Sequence, residues 1–167
     1  MRASTLVAIL SSIVFLVWGG CATYSKVMFD LRCGNYLERA ANSNTIELAE
    51  QNLKVAVAYM ESNSMTSGNT GALWPSPKND VGFWYENVSA SLEELKSVKP
   101  DASQLEKSNV LMKLRETLLD NGESGDSLTA PDGISVFPFN GLFFWWASVS
   151  GILALICWVI VAVRNAD

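Results

Sequence analysis

The densest run of side chains capable of chemistry lies between positions 74 and 85, where Trp74, Pro75, Pro77, Asp80, Phe83, Trp84 and Tyr85 crowd together. Aromatic rings beside one carboxylate can form a pocket for an apolar or cationic ligand, with the ring faces attracting a cation and Asp80 as counter-charge. The same residues can serve structure alone, the rings pinning a loop onto a helical body while Asp80 caps a helix. They can also form a protein-contact surface, because Trp and Tyr dominate interface hot spots. Pinning is the favoured expectation, with Trp74, Asp80, Phe83, Trp84 and Tyr85 retained as candidate ligand or partner contacts.

Elsewhere the chemistry is sparse. The chain has 167 residues and no histidine, which removes the commonest general base, metal ligand and pH switch together. The carboxylate pairs Glu47 with Glu50 and Glu93 with Glu94 are interspersed with basic residues and read as solvated helix faces. No Gly-rich phosphate loop, Cys-x-x-Cys, nucleophile motif or internal repeat is present. The expectation is a non-enzymatic protein with no catalytic residue, metal or cofactor. Of the three cysteines, Cys157 reads as a small apolar residue. Cys21 and Cys33 stand ~18 Å apart along a continuous helix, too far for a disulfide, which leaves Cys33 open to an intermolecular bridge. Asn87-Val88-Ser89 matches the glycosylation pattern but falls inside an expected helix.

The elements that must position these residues are set by two apolar stretches at the ends of the chain, Ala3 to Ser25 and Gly141 to Val163. Each is long enough to cross a bilayer, since ~20 residues at ~1.5 Å rise cover ~30 Å of hydrocarbon. The expected domains are therefore a transmembrane helix over 1–25, a water-exposed helical domain over 26–140, a second transmembrane helix over 141–163 and a tail over 164–167. Setting aside Arg2, Arg164 and Asp167, the middle carries 10 basic and 16 acidic residues. A net charge of about −6 argues against nucleic acid and anionic headgroups as partners.

The first stretch reads as an uncleaved signal anchor. Gly19-Gly20-Cys21 bears a weak likeness to a lipoprotein cleavage site, with Trp18 where an aliphatic residue is wanted, and no Ala-x-Ala site is evident. Arg2 before the first span and Arg164 after the second, with Asp120, Glu123, Asp126 and Asp132 leading into it, place both termini in the cytoplasm. The domain is then periplasmic or extracellular, on a plasma or bacterial inner membrane. Lys26 and Arg32 oppose that assignment. Trp18, Trp145 and Trp146 fall near the outer ends of the spans and read as an interfacial belt, with Trp158 towards the inner end. Ala8 with Ser12, and Ala147 with Gly151, recur four apart, a spacing that lets helices approach closely in lipid, within this hairpin or against a partner.

Between the spans, Val27, Met28, Leu31, Tyr36, Leu37 and Ala40, then Leu48, Ala49, Leu53, Ala56, Val57 and Met60, form helical stripes over 26–62. Asn42-Ser43-Asn44-Thr45 is a possible break, with Asn44 as cap and Glu47 completing a capping box. A loop over 63–80 leads to a helix over 81–98 capped by Asp80, with Phe83, Trp84, Val88, Leu92 and Leu95 inward. Pro100-Asp101 opens a helix over 101–120 through Leu105, Met112, Leu114 (or Leu111), Leu118 and Leu119, and 121–140 reads as an irregular return.

The expected fold is all-α, two transmembrane helices flanking a small antiparallel bundle of three to four helices. The expected role is an accessory or scaffold subunit whose partners are other membrane proteins or further copies of itself, the lipid bilayer, and no nucleic acid. The alternative is a small-molecule binding or sensor module acting through a partner. The layout of span, bundle and span is similar in outline to chemoreceptor sensor regions, in architecture alone.

Overall fold

The computed structural model describes residues 3–122 and 125–166. Glu123, one of the acids used above to orient the second span, lies outside them, as do Arg2 and Asp167. Helix α1 (Ala3–Phe29) runs through a π-turn (Asp30–Gly34) into α2 (Asn35–Ala41), so Ser4 to Ala41 forms one helix of 38 residues. After a short break come α3 (Ile46–Ser62), α4 (Val81–Ser97) and α5 (Gln104–Leu118). A hairpin of β1 (Leu119–Gly122) and β2 (Gly125–Leu128) follows, then α6 (Asn140–Ala166). The first and last helices are each long and apolar enough to cross a membrane.

Across the π-turn, whose backbone bonds run from i to i+5, Phe29, Cys33 and Leu37 are all buried. Beyond it, α2 packs against α3 and α5, and α4 packs against α3 and α5, so four helices enclose one core. Leu37, Leu53, Met60, Val88, Leu95 and Leu118 are almost fully buried there, each side chain contributing about 1.5–3 kcal/mol by its removal from water.

Several expected boundaries move. The 26–62 segment is two helices, broken at Asn42–Thr45, and Thr45 rather than Asn44 is the cap: its Oγ1 accepts from the Leu48 N–H at 3.3 Å. Asn42 Nδ2 and Ser43 Oγ close the end of α2 by donating to the Glu38 and Arg39 carbonyls. The third expected helix starts later, at Gln104, because Ser103 is its cap and accepts from the Glu106 N–H at 3.2 Å. It ends at Leu118, where the chain extends so that Leu119, 4% exposed, stays in the core.

The hairpin replaces part of what reads as irregular return over 121–140. Leu119 pairs with Leu128, and Leu128 rests on Gly34 of the π-turn. With the break at Asn42–Thr45, α3 packs back against α2.

Six residues assigned above to inward stripes are exposed: Val27, Leu31, Leu48, Phe83, Leu105 and Met112. On α4, Trp84 and Val88 fill the inward face, and adjacent Phe83 is turned about 100° away by the helical repeat. On α5 the contact with the bundle is carried by Leu114 and Leu118, leaving Leu105 and Met112 on the outer side.

Candidate functional site

Asp80 sits in extended conformation ahead of α4, and its Oδ1 accepts from the Phe83 N–H at 3.0 Å. That bond, with the partial positive charge of the helix N-terminus, already engages the carboxylate. Beside it, Pro77, Lys78, Asp80, Phe83, Trp84 and Asn87 face Thr117, Thr129 and Pro131 across a groove of about 450 Å³. Trp84 is 6% exposed, with most of its ring in the core, and Phe83 stands at the rim, 66% exposed. Lys78 Nζ lies 3.5 Å from Asp132. The groove thus offers apolar rings with one ammonium, one carboxylate and two threonine hydroxyls along its lining.

The aromatic cluster of the sequence is divided. Asp80, Phe83 and Trp84 line the groove. Tyr85 points elsewhere, its hydroxyl donating to Glu61 Oε1 at 2.9 Å and tying α4 to the end of α3. Trp74 is 77% exposed and does not line the groove. Thr117, Thr129 and Pro131 were not signalled in the sequence, because they reach the groove only through the hairpin that turns the chain back after α5.

Among the described residues, no group of three His, Cys, Asp or Glu could hold a metal ion. Cys33 is fully buried, with Sγ 4.0 Å from the Ala56 carbonyl. Desolvation pushes its thiol up to about 12. It therefore stays protonated and poorly nucleophilic at neutral pH, and its burial closes it to a bridge between chains.

A second constellation lies between α1 and α6, which pack side by side. Among the less exposed positions of α6, Phe143, Ala147, Ser150, Ala154, Cys157 and Val161 follow one another in alternating steps of four and three, with Trp146, Ser148 and Gly151 beside them. Ala8, Ser11, Trp18, Ala22, Ser25 and Phe29 mark a matching seam on α1. This is the a/d spacing of a left-handed coiled pair. Ala8 is fully buried, and a side chain on Gly151 would come within 3.3 Å of the Phe15 ring. Ser12 donates to the Ala8 carbonyl and accepts from Trp158 Nε1 at 3.0 Å.

Trp146 Nε1 donates to the Val14 carbonyl at 3.2 Å. Trp146 and Trp158 therefore spend their N–H groups on the helix pair. Trp145 is 58% exposed and in edge contact with Phe144, while Trp18 stacks on Phe15.

No family model matches this chain, and no curated protein or solved structure matches it either.

Proposed function

We propose that this is a non-enzymatic two-pass membrane protein, an accessory or scaffold subunit that presents its four-helix domain to partner proteins. Both termini are then cytoplasmic and the domain extracytoplasmic, following the Arg2 and Arg164 flanks. The observation that carries the reading is the outward placement of large apolar residues on the water-exposed helices. Leu105 and Met112 are 71% and 58% exposed and lie seven apart on α5, while Leu48 and Val55 repeat that spacing on α3. Residues seven apart share one helix face, so each of these helices turns a pair of apolar side chains outward, where a partner could cover them. Native mass measurement of a mild-detergent extract tests the role. A complex larger than the 18.2 kDa chain, dissociated by Leu105→Glu with Met112→Glu, supports it. A lone monomer with no co-purifying protein rejects it.

The groove favours a second reading, a small-molecule module acting through a partner. Thermal stabilisation of the protein by a compound, lost in Phe83→Ala with the helical circular dichroism unchanged, is the outcome that would raise it above the first. Phe83 suits this test because it lines the groove without filling the core.

A further inference from the structure

The segment between Glu61 and Lys78 contains no charged residue, and its tip is the most exposed apolar point of the domain: Leu73 is 46% and Trp74 77% exposed. Its position is set by contacts with the start of α6. The Phe137 ring covers Gly68, where a side-chain carbon would come within 3.1 Å of it, and one on Gly141 would lie 3.8 Å from the Ala72 carbonyl. Gly141 is the second residue of α6, the second candidate span. The tip therefore stands at the level where the apolar helix begins. Phe139, Leu142 and Trp145, each more than half exposed, lie on that same stretch of chain.

The tip is also held in shape. Asn69 Nδ2 donates to the Ser76 carbonyl at 2.9 Å, and Asn69 Oδ1 accepts from the Gly71 N–H at 2.8 Å. The Thr70 N–H donates to the Asn79 carbonyl at 2.9 Å. The turn folds so tightly that any side chain at Gly71 would collide with the Trp74 carbonyl. A preformed loop presents its apolar residues without an ordering cost at the moment of contact. Trp74 makes no hydrogen bond or ring contact among the described residues, although an indole favours a place where its apolar body is covered and its N–H is wet.

We propose that the Gly71–Pro75 turn is a lipid-contacting tip, with Leu73 and Trp74 entering the headgroup layer beside the start of α6 and holding the domain down on the bilayer. The tip adds a third attachment to the two spans and fixes which face of the bundle meets lipid. Continuity with the outer end of α6 and the run of uncharged residues single out a lipid surface as occupant. The proposal rests on α1 and α6 spanning the membrane, and its test separates the two.

Full-length protein labelled with 5-fluorotryptophan is placed in phosphatidylcholine nanodiscs, and its six tryptophan resonances are assigned by single Trp→Phe variants. Fluorine line widths are read with a lipid carrying a nitroxide high on the acyl chain, and separately with a water-soluble gadolinium chelate. The expected result is that Trp74 and Trp145 broaden several-fold more with the nitroxide lipid than with the chelate, while buried Trp84 responds weakly to both. Gly71→Val, which breaks the turn, should remove the nitroxide effect at Trp74 and leave it at Trp145. Broadening of Trp145 by lipid, with Trp74 broadened by the chelate instead, overturns the tip contact and leaves the spans standing. Trp74 silent to both probes overturns it in favour of a covering protein or second copy. Failure of Trp145 as well rejects the spans themselves.

Discussion

Two helix contacts in one chain are built from opposite materials. Between α1 and α6 the helices meet through Ala8, Ser12, Ala147, Ser150 and Gly151, with Trp146 and Trp158 donating across the gap. Within the domain they meet through Leu37, Leu53, Met60, Val88, Leu95 and Leu118 alongside buried Ala40, Ala49 and Ala56, with side-chain hydrogen bonds at caps and rims and one long buried contact from the Cys33 thiol to the Ala56 carbonyl. In water, burial of large apolar side chains drives association, so bulk at the contact is useful. In lipid, apolar surface gains nothing by leaving hydrocarbon, and close approach of backbones together with hydrogen bonds must do the work. The composition of each seam thus matches the solvent proposed for it.

Substitutions separate the two contacts most sharply when each is given the other's material. The largest effect is expected for Leu53→Ala, which opens a cavity among the four helices and should cost about 2–5 kcal/mol. It is read as a lowered midpoint for loss of the domain's helical signal. Gly151→Leu puts bulk where Phe15 approaches and should cost about 1–3 kcal/mol in the pairing of α1 with α6. Its readout is reduced disulfide crosslinking of a cysteine pair placed across that seam, with the domain midpoint unmoved.

Smaller still is the cap at the head of α3. Thr45→Ala should lower the domain's stability by about 1 kcal/mol, whereas Asn44→Ala should leave the unfolding midpoint in place. The least effect is expected for Trp158→Phe, which removes one hydrogen bond between the spans, worth about 0.6 kcal/mol on average in such settings. Its signature is a small fall in the same crosslinking yield.

The sequence made the ends of the molecule legible and blurred its middle. Ala3 to Ser25 and Gly141 to Val163 are uncharged for their whole length, so their helical nature needs no neighbour to decide it. Asp80 before Val81 also stated its role locally, through a side-chain oxygen placed to accept from the helix start. The segment near Thr45 left open one irregular helix or a break capped by Asn44; the extended backbone at Thr45 makes the break and takes the cap one residue later. Ser103 with Glu106 has the capping-box spacing, a signal the reading from Pro100-Asp101 passed over.

The hairpin gave no strand signal, since Asp120-Asn121-Gly122 and Gly125-Asp126-Ser127 are turn-forming residues. Only the pairing of Leu119 with Leu128 over the core makes them extended. Phe83, Leu105 and Met112 were misplaced inward because a helical stripe gives the direction of an apolar face but not its width. The candidate groove was half legible: Asp80, Phe83 and Trp84 came from one local cluster, while Thr117, Thr129 and Pro131 arrive from a distant segment. The hydrogen bonds of Trp146 and Trp158 had no local sign either, since their acceptors lie on α1, more than 130 positions away.

The most direct measurement is labelling of single cysteines in intact cells by a maleimide that cannot cross membranes. In a Cys21→Ser background, one chain carries Lys107→Cys on α5 and another Asn165→Cys beyond the apolar stretch of α6. The expected result is immediate labelling at position 107 and labelling at position 165 only after the membrane is permeabilised. Equal labelling of both before permeabilisation, or protection of position 107 alone, would contradict a domain held outside the cell by two spanning helices.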